Sequence, residues 1–306
     1  MSESPSGLRT ALDWGKLAPL RFRAQAVADG VNFGAHRSRR RGAGVEFGGH
    51  RNYLPGDDLR FLDRRSMLRH DRLIVREFET ETERGLRLVI DASRSMAYRS
   101  EGAPGAKLAY AALLAAALGR VALAGQDSVS LDFVGGGGAA SMSSSTGLEA
   151  FERLVYSLER VTPEGDVLQA PDELDVTLAR VSRRARRGSV IAVFSDFLDL
   201  PDGAEERIAA LASGGRLVVG VRVLDPAEVN FPFEGPMRFK SSEGSHEVET
   251  DGGAARSAYL SALREKMAKI REKMLAQSGR FVEVTSGDDP IEAVRSILTA
   301  IEGIGP

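Results

Sequence analysis

The sequence predicts an α/β fold in which helices flank both faces of a mostly parallel sheet, with a small N-terminal block in front. From Gly85 onward, short apolar segments alternate with stretches of helical length, which is the pattern of strands joined by helices. Several of these segments are apolar throughout, as at Val190 to Phe194, and a strand of that composition is buried on both faces. A length of 306 residues allows one large domain or two modest ones.

Residues 1–84 form the N-terminal block, which is rich in Arg and Gly. Leu17 to Val31 could form a short helix, and Leu73 to Glu81 alternates in part as a strand does. Between them, Gly42 to Asp63 carries turn signals throughout, including Pro55-Gly56-Asp57. We therefore expect a small β-rich or irregular subdomain.

Residues 85–306 carry the alternation of strands and helices in order. The predicted strands are Leu86 to Ile90, Ser128 to Val134, Ser189 to Phe194, Arg216 to Val223 and Arg280 to Val284. The predicted helices are Lys107 to Ala124, Leu148 to Leu158, Leu174 to Ala185, Ala204 to Ala212, Tyr259 to Gln277 and Pro290 to Ile301. An insertion near 230–253, rich in Pro, Gly and Glu, is expected to form a β-hairpin near the sheet edge. Four glycines at 135–138 predict a turn, because the Lys-Ser/Thr pair of a phosphate loop does not follow them.

Composition excludes several kinds of site and partner. The chain has no cysteine, which rules out disulfides, thiolate metal sites and thiol nucleophiles. Its formal net charge is −2, although residues 21–72 hold 12 arginines against six acidic residues. No nucleic-acid motif or interleaved aromatic residue accompanies these arginines, so we expect no nucleic-acid partner.

The same sequence predicts a cytoplasmic chain without a membrane span. The N-terminus lacks the basic, apolar and small-residue pattern of a signal peptide. The best apolar stretch, Leu108 to Leu118, is shorter than the roughly 18–20 residues that cross a bilayer. A helix of a water-soluble core explains this stretch better.

Oxygen-bearing side chains follow two of the predicted strands. Asp91, Ser93 and Ser95 come directly after Leu86 to Ile90, and Asp196 follows a second apolar strand. Because the carboxyl ends of parallel strands meet at one edge of a sheet, we expect these side chains to converge. Carboxylates and hydroxyls are hard donors that suit Mg²⁺, Ca²⁺ or Mn²⁺. The alternative for the first loop is that its side chains only cap a helix.

An Asp-x-Ser-x-Ser motif with a later Asp resembles the metal-ion-dependent adhesion site of von Willebrand factor A domains. The matching residues are Asp91, Ser93, Ser95, Met96 and Asp196. The resemblance implies a mostly parallel sheet flanked by helices. It also implies a divalent ion whose open position takes an acidic residue of a partner, and binding rather than catalysis.

A narrower resemblance, to the bacterial DUF58 family, covers Gly34 to Asp251. The segments that carry it are His36-Arg37-Ser38, Gly42 to Phe47, Arg51 to Arg60 with Asp63, Arg76 to Glu79, Ser195-Asp196-Phe197 and Asp225 to Glu228. It implies a MoxR-type AAA+ ATPase as partner. It further implies a role in assembling, maturing or remodelling client proteins.

The N-terminal block holds candidate residues for docking that partner. They are Arg51, Tyr53, Asp57, Asp58 and Arg60. The alternative is a turn locked by ion pairs, because the planar guanidinium binds carboxylates in bidentate geometry.

The chain departs from the adhesion-site pattern at the threonine that usually completes it. The region where the resemblance places this residue, Pro163 to Leu174, contains no threonine, and Thr162 and Thr177 only flank it. Asp166 or Asp172 could substitute as an oxygen ligand.

Three functions therefore stay open. The first is a non-enzymatic protein-interaction module with a Mg²⁺ (or Ca²⁺ or Mn²⁺) site, acting with the ATPase. The second is a metal-free scaffold of the same fold. The third is a metal-dependent phosphohydrolase using Asp91 and Asp196, which is disfavoured because haloacid-dehalogenase-type enzymes need a second Asp where this chain has Ser93.

Overall fold

The chain forms two compact units. This structure is a computed structural model, and it describes residues 20–32, 43–52, 74–79, 85–240 and 247–303. The smaller unit spans Ala35–Arg84, and its described part is an antiparallel pair of strands, β1 (Ala43–Asn52) and β2 (Ile74–Glu79). All other described elements belong to the larger unit.

The larger unit is built on a six-stranded sheet. Its strands are β3 (Gly85–Asp91), β4 (Ser128–Val134), β5 (Met142–Ser145), β6 (Val190–Ser195), β7 (Leu217–Leu224) and β10 (Arg280–Thr285). They lie in the order β10-β7-β6-β3-β4-β5, and all are parallel except β5. This is the doubly wound order, in which the winding direction reverses beside the first strand of the sheet. The predicted fold class, a mostly parallel sheet flanked by helices, is confirmed.

Helices cover both faces of this sheet. They are α1 (Leu20–Asn32), α2 (Lys107–Ala124), α3 (Leu148–Arg160), α4 (Pro171–Arg184), α5 (Ala204–Ala210), α6 (Pro226–Asn230), α7 (Gly252–Ala276) and α8 (Pro290–Glu302). One core contains residues of α1, α2, α3 and α8, and the other contains residues of α4, α5 and α7. Strand residues alternate between the two cores, so that Leu88 and Ile90 lie in the first and Val89 in the second.

The central helix α2 is buried on most sides. Eight of its 18 residues are alanines, which let its neighbours approach closely. At Gly119 the approach is so close that a Cβ would lie 2.4 Å from Leu154 Cδ2. In the described part of the chain, α2 is also the helix that is long and apolar enough to cross a membrane, and 78% of it is buried inside the protein. Burial against α1, α3 and β3 accounts for this composition, because a helix that is apolar all round must be covered.

Three features of the larger unit differ from the sequence prediction or refine it. α1, assigned above to the N-terminal block, packs against α2 and α8, and the smaller unit begins at Ala35 rather than residue 1. β5 was not predicted, because its sequence, Met142 to Ser145, has a single apolar residue. The region near 230–253 contains an antiparallel hairpin of β8 (Pro236–Lys240) and β9 (Glu247–Asp251).

Candidate functional site

The four predicted ligands lie at the carboxyl ends of β3 and β6. Asp91 is the last residue of β3, and Asp196 directly follows β6. The two strands are parallel neighbours, with Ile90 paired to Phe194, so the next residues of each strand emerge side by side. The winding direction of the sheet reverses between these strands, which is where a ligand crevice is expected. We call the set Asp91, Ser93, Ser95 and Asp196 the strand-end site.

The loop after β3 folds back on its own carboxylate. The Ser93 backbone N–H donates to Asp91 Oδ1 at 3.0 Å, and a 3-10 turn, Arg94–Ala97, follows. The hydroxyl oxygens of Ser93 and Ser95 lie 3.2 Å apart, within hydrogen-bond distance. Neither the 3-10 turn nor α2 has a side-chain cap at its start. The alternative in which these residues cap a helix is therefore wrong.

Asp196 joins the site through the loop after β6. The Leu198 backbone N–H donates to Asp196 Oδ1 at 3.0 Å, and the Ser95 hydroxyl also hydrogen-bonds this carboxylate. The preceding residue, Ser195, reaches the other side of the site and donates from its hydroxyl to Asp91 Oδ2 at 2.7 Å. Each loop thus contributes a serine hydroxyl that hydrogen-bonds the carboxylate of the other loop.

A lysine that sequence analysis did not single out completes this cluster. Lys107, the first residue of α2, has a side chain only 1% exposed. Its ammonium donates to Asp196 Oδ2 at 2.8 Å and to Glu228 Oε1 at 2.7 Å. Glu228 is held in turn by the capping box of α6, where its Oε2 accepts the Asp225 backbone N–H at 2.8 Å. The lysine therefore connects α2, α6 and the end of β6.

Charge and burial move the pKa values of these groups in different directions. Burial raises the pKa of Asp91, and the neighbouring Asp196 raises it further, against the hydrogen bonds from Ser195 and Ser93. Burial also tends to raise the pKa of Asp196. The Lys107 charge and the hydrogen bonds outweigh this effect and hold that pKa below its usual value. Burial acts to lower the pKa of Lys107, and the charges of Asp196 and Glu228 raise it overall. Asp196 and Lys107 therefore form a charged pair at neutral pH.

The donor set fits a divalent ion only in part. Two oxygens that share an octahedral Mg²⁺ lie about 3.0 Å apart, and the pair of serine hydroxyls is close to that spacing. However, the ammonium of Lys107 already balances the charge of Asp196. Among the described residues, some buried side-chain polar atoms lack a partner, and none of them belongs to the strand-end site. An ammonium group bound to one of the four candidate ligands competes with a divalent ion there, so the ion stays a prediction that this arrangement disfavours.

The residues considered for the missing threonine lie elsewhere or have other partners. The Thr177 hydroxyl donates to the Phe133 carbonyl, and the Thr162 hydroxyl donates to the Gly137 carbonyl. Asp166 Oδ1 accepts the backbone N–H groups of the turn that follows it. Asp172 lies in the first turn of α4. Over the described ranges, no group of three or more His, Asp or Glu side chains is arranged to hold a metal ion.

The glycines at 135–138 pack against the loop of Asp91. The Ala92 backbone N–H donates to the Val134 carbonyl, and the Gly136 backbone N–H donates to the Glu164 carbonyl. Gly136 has a φ of +93°, and a Cβ there would lie 2.8 Å from Ala92 Cβ. The predicted turn is thus a close-packed wall of the site, and close approach explains its composition.

A cavity of about 450 Å³ opens beside this wall. Its lining includes the glycine loop, Glu164, Glu173, Val176, Thr177 and Arg180. Val176 is 55% exposed, and Arg180 pairs with Asp132 at 3.2 Å. The cavity combines an exposed apolar side chain with charges of both signs, which suits contact with a protein segment.

The predicted partner-binding residues fall mostly outside the described residues. Tyr53, Asp57, Asp58 and Arg60 lie outside them, and Arg51 is a backbone position of β1 paired with Val75. Two residues that proved central, Lys107 and Ser195, were missed. A signal for the first existed, because a lysine in the first turn of a helix opposes the helix dipole and needs an acidic partner.

Comparison with known proteins gives a family and several distant structural neighbours. The family model described as "Protein of unknown function DUF58" matches residues 49–269. An aerotolerance-related membrane protein from Bacteroides fragilis, carrying multiple mutations to serines, is 18% identical with a TM-score of 0.47, over 72% of this chain and 99% of that one.

Two further solved structures share low identity with this chain. The conserved hypothetical protein BatB from Bacteroides thetaiotaomicron is 16% identical with a TM-score of 0.46, over 72% of this chain and 98% of that one. The SpRpn10 VWA domain is 10% identical with a TM-score of 0.35, over 69% of this chain and 93% of that one. No curated protein matches the chain.

Proposed function

The chain belongs to the DUF58 family, and from that premise we propose that it is a non-enzymatic protein-interaction module with a von Willebrand A-like fold. In this proposal it acts with a MoxR-type AAA+ ATPase in the assembly or remodelling of other proteins. The proposal places the chain in the cytoplasm, where ATP supports such a partner.

The observation that carries the proposal is the form of the strand-end face. The crevice where a doubly wound sheet binds its ligands is filled by a closed network of hydrogen bonds and ion pairs. Beside it, a cavity of about 450 Å³ presents Val176, Glu173 and Arg180. A buried, hydrogen-bonded base next to a concave and partly apolar notch suits a docking surface.

The phosphohydrolase alternative gains no support from this geometry. A nucleophilic or general-base carboxylate must be within reach of the substrate, whereas Asp91 is 5% exposed and Asp196 is 1% exposed. Both oxygens of Asp91 and both oxygens of Asp196 accept hydrogen bonds from protein groups. The metal-free scaffold is the alternative that a specific observation favours, namely the ion pair of Asp196 with Lys107.

Co-purification with the ATPase tests the proposal. A tagged chain is expressed with the MoxR-type ATPase encoded in the same genome, and the retained ATPase is quantified with and without EDTA. We expect retention in both conditions. Retention falls at least tenfold in Val176→Glu, because the new carboxylate meets the partner at the cavity rim.

Val248→Glu is the matched control. Val248 is 59% exposed on β9 and receives the same substitution, so its retention of the ATPase stays at the wild-type level. Failure of the wild-type chain to retain the ATPase would refute the partnership. Equal losses in the two variants would refute the placement of the docking surface.

A further inference from the structure

We propose that the ammonium group of Lys107 supplies the positive charge of the strand-end site in place of a divalent ion. The face then docks its partner without metal. This inference rests on the proposed function for the role of the face and deepens it by assigning the chemistry at its base.

The burial of Lys107 requires an explanation. Lysine is almost never fully buried unless it is paired, and this side chain is 1% exposed. It also stands in the first turn of α2, where the helix dipole disfavours a cation. The remainder of α2 is alanine and leucine in the main, so an apolar residue would be the simpler choice at this position. Because burial and the helix dipole both disfavour a cation at this position, the groups that face Lys107 must stabilise its charge.

One of those groups, Asp196, is a predicted ion ligand, and the other is Glu228 of α6. The ammonium contacts Asp196 Oδ2 at 2.8 Å and Glu228 Oε1 at 2.7 Å, so it spans two carboxylates from different loops. The second oxygen of each carboxylate accepts a backbone N–H, from Leu198 and from Asp225 respectively. Three structural elements thus meet at one positive centre.

The other half of the site is closed by neutral donors. Asp91 accepts the Ser93 backbone N–H and the Ser195 hydroxyl, and the Ser93 and Ser95 hydroxyls contact one another. Hydrogen-bonded carboxylates also ligate metal ions, so it is the ammonium on Asp196 that opposes an ion here. At this site the described polar side-chain atoms all have partners. The absence of a threonine ligand agrees with the same conclusion.

Titration with Mn²⁺ tests the inference on the full chain. Mn²⁺ binding is followed by electron paramagnetic resonance, and the melting temperature is recorded in EDTA and in excess Mg²⁺. Wild type is expected to bind no Mn²⁺ and to show the same Tm in both buffers. In Lys107→Met, the freed carboxylates gain Mn²⁺ binding, and Mg²⁺ raises the Tm by roughly 2–4 °C.

Lys273→Met is the matched control. Lys273 is a partly exposed lysine that also pairs with two carboxylates, those of Glu205 and Glu206. The same substitution there gives no Mn²⁺ site, because the carboxylate of Glu206 is exposed and remains solvated. This control separates a general loss of positive charge from the opening of the strand-end site.

Two outcomes overturn the inference. One is a wild-type chain that binds Mn²⁺ in a manner abolished by Asp91→Asn. The other is a folded Lys107→Met chain that does not respond to Mn²⁺ or Mg²⁺. Should this variant fail to fold in both buffers, the wild-type titration decides alone, since bound Mn²⁺ refutes the inference and its absence supports it. The ATPase takes no part in these measurements, so their failure is distinct from failure of the proposed partnership.

Discussion

Asp91 and Asp196 end neighbouring parallel strands and are both buried, yet the protein holds them by different means. Asp91 is surrounded by neutral donors, a backbone N–H and a serine hydroxyl. Asp196 is paired with an ammonium group. Their pKa values move in opposite directions as a result. The sheet determines where each carboxylate lies, whereas the groups that face it determine its charge.

The two loops also differ in what supports them. The Asp91 loop rests on the glycine wall, with Gly136 packed closely on Ala92. The Asp196 loop is joined to α2 and α6 through Lys107. Steric fit therefore stabilises one half of the site, and buried charge pairing stabilises the other. A substitution that removes a charge should therefore destabilise the Asp196 half, and a substitution that disturbs close packing should destabilise the Asp91 half.

The largest effect is expected from Lys107→Met. Removing one partner of a buried ion pair leaves uncompensated charge, so the free energy of unfolding should fall by about 3–5 kcal/mol. Urea denaturation at pH 7 in EDTA measures it. Lys273→Met should change stability by less than about 1 kcal/mol, because exposed ion pairs contribute little. Similar losses in the two variants would contradict the assignment of the Asp196 half to buried charge.

An intermediate effect is expected from Gly136→Ala on the Asp91 half. The new Cβ would lie 2.8 Å from Ala92 Cβ, at a φ of +93° that L-residues rarely adopt. Stability should fall by about 1–3 kcal/mol in urea denaturation. Gly102→Ala is the control, because a Cβ there meets nothing within 4 Å and its stability should be unchanged. A loss in Gly102→Ala as large as that in Gly136→Ala would show that steric fit is not what holds this half.

The smallest effect, and the one that most sharpens the comparison, is the pH dependence of two isosteric variants. The folded pKa of Asp196 is lowered, so its contribution is present above the unfolded value of about 4 and is lost as pH falls further. The destabilisation in Asp196→Asn should therefore shrink as pH falls below about 4.

Asp91→Asn should behave with the opposite sign. The folded pKa of Asp91 is raised, so its ionisation opposes folding as pH rises through and above about 4. Relative to wild type, Asp91→Asn should gain stability as pH rises above about 4. Urea denaturation of both variants across this range measures the two slopes. Parallel slopes would show that the carboxylates share one environment.

Much of the fold could be predicted from sequence because local patterns determined it. Short apolar segments such as Val190 to Phe194, flanked by turn residues, favour a strand buried on both faces, and their alternation with helices indicates the class of sheet. β5 could not be predicted, because pairing with β4 rather than its own composition makes it a strand. The placement of α1 was missed for a related reason, since its packing partners lie far away in sequence.

Only the part of the site that lies at the ends of predicted strands could be predicted from the sequence. Asp91 and Asp196 follow apolar segments directly, so the edge of the sheet brings them together. Lys107 reaches the same place from the start of a helix, and the sequence says nothing about which strand end that helix approaches. Ser195 was named only as part of the segment Ser195-Asp196-Phe197, of which Asp196 alone matched the adhesion-site pattern. The Ser195 hydroxyl links the strands at Asp91.

The alanine-rich surface of α2 has one more consequence. Rows of methyl groups offer few ridges, so such a helix could lie at several positions along its axis against the sheet with similar packing. The ion pair at its first residue favours one of them, as do the close approach of Leu154 at Gly119 and the hydrogen bond from the Tyr110 hydroxyl to the Asp288 carbonyl. Lys107 thus helps to determine the position of the central helix along the sheet.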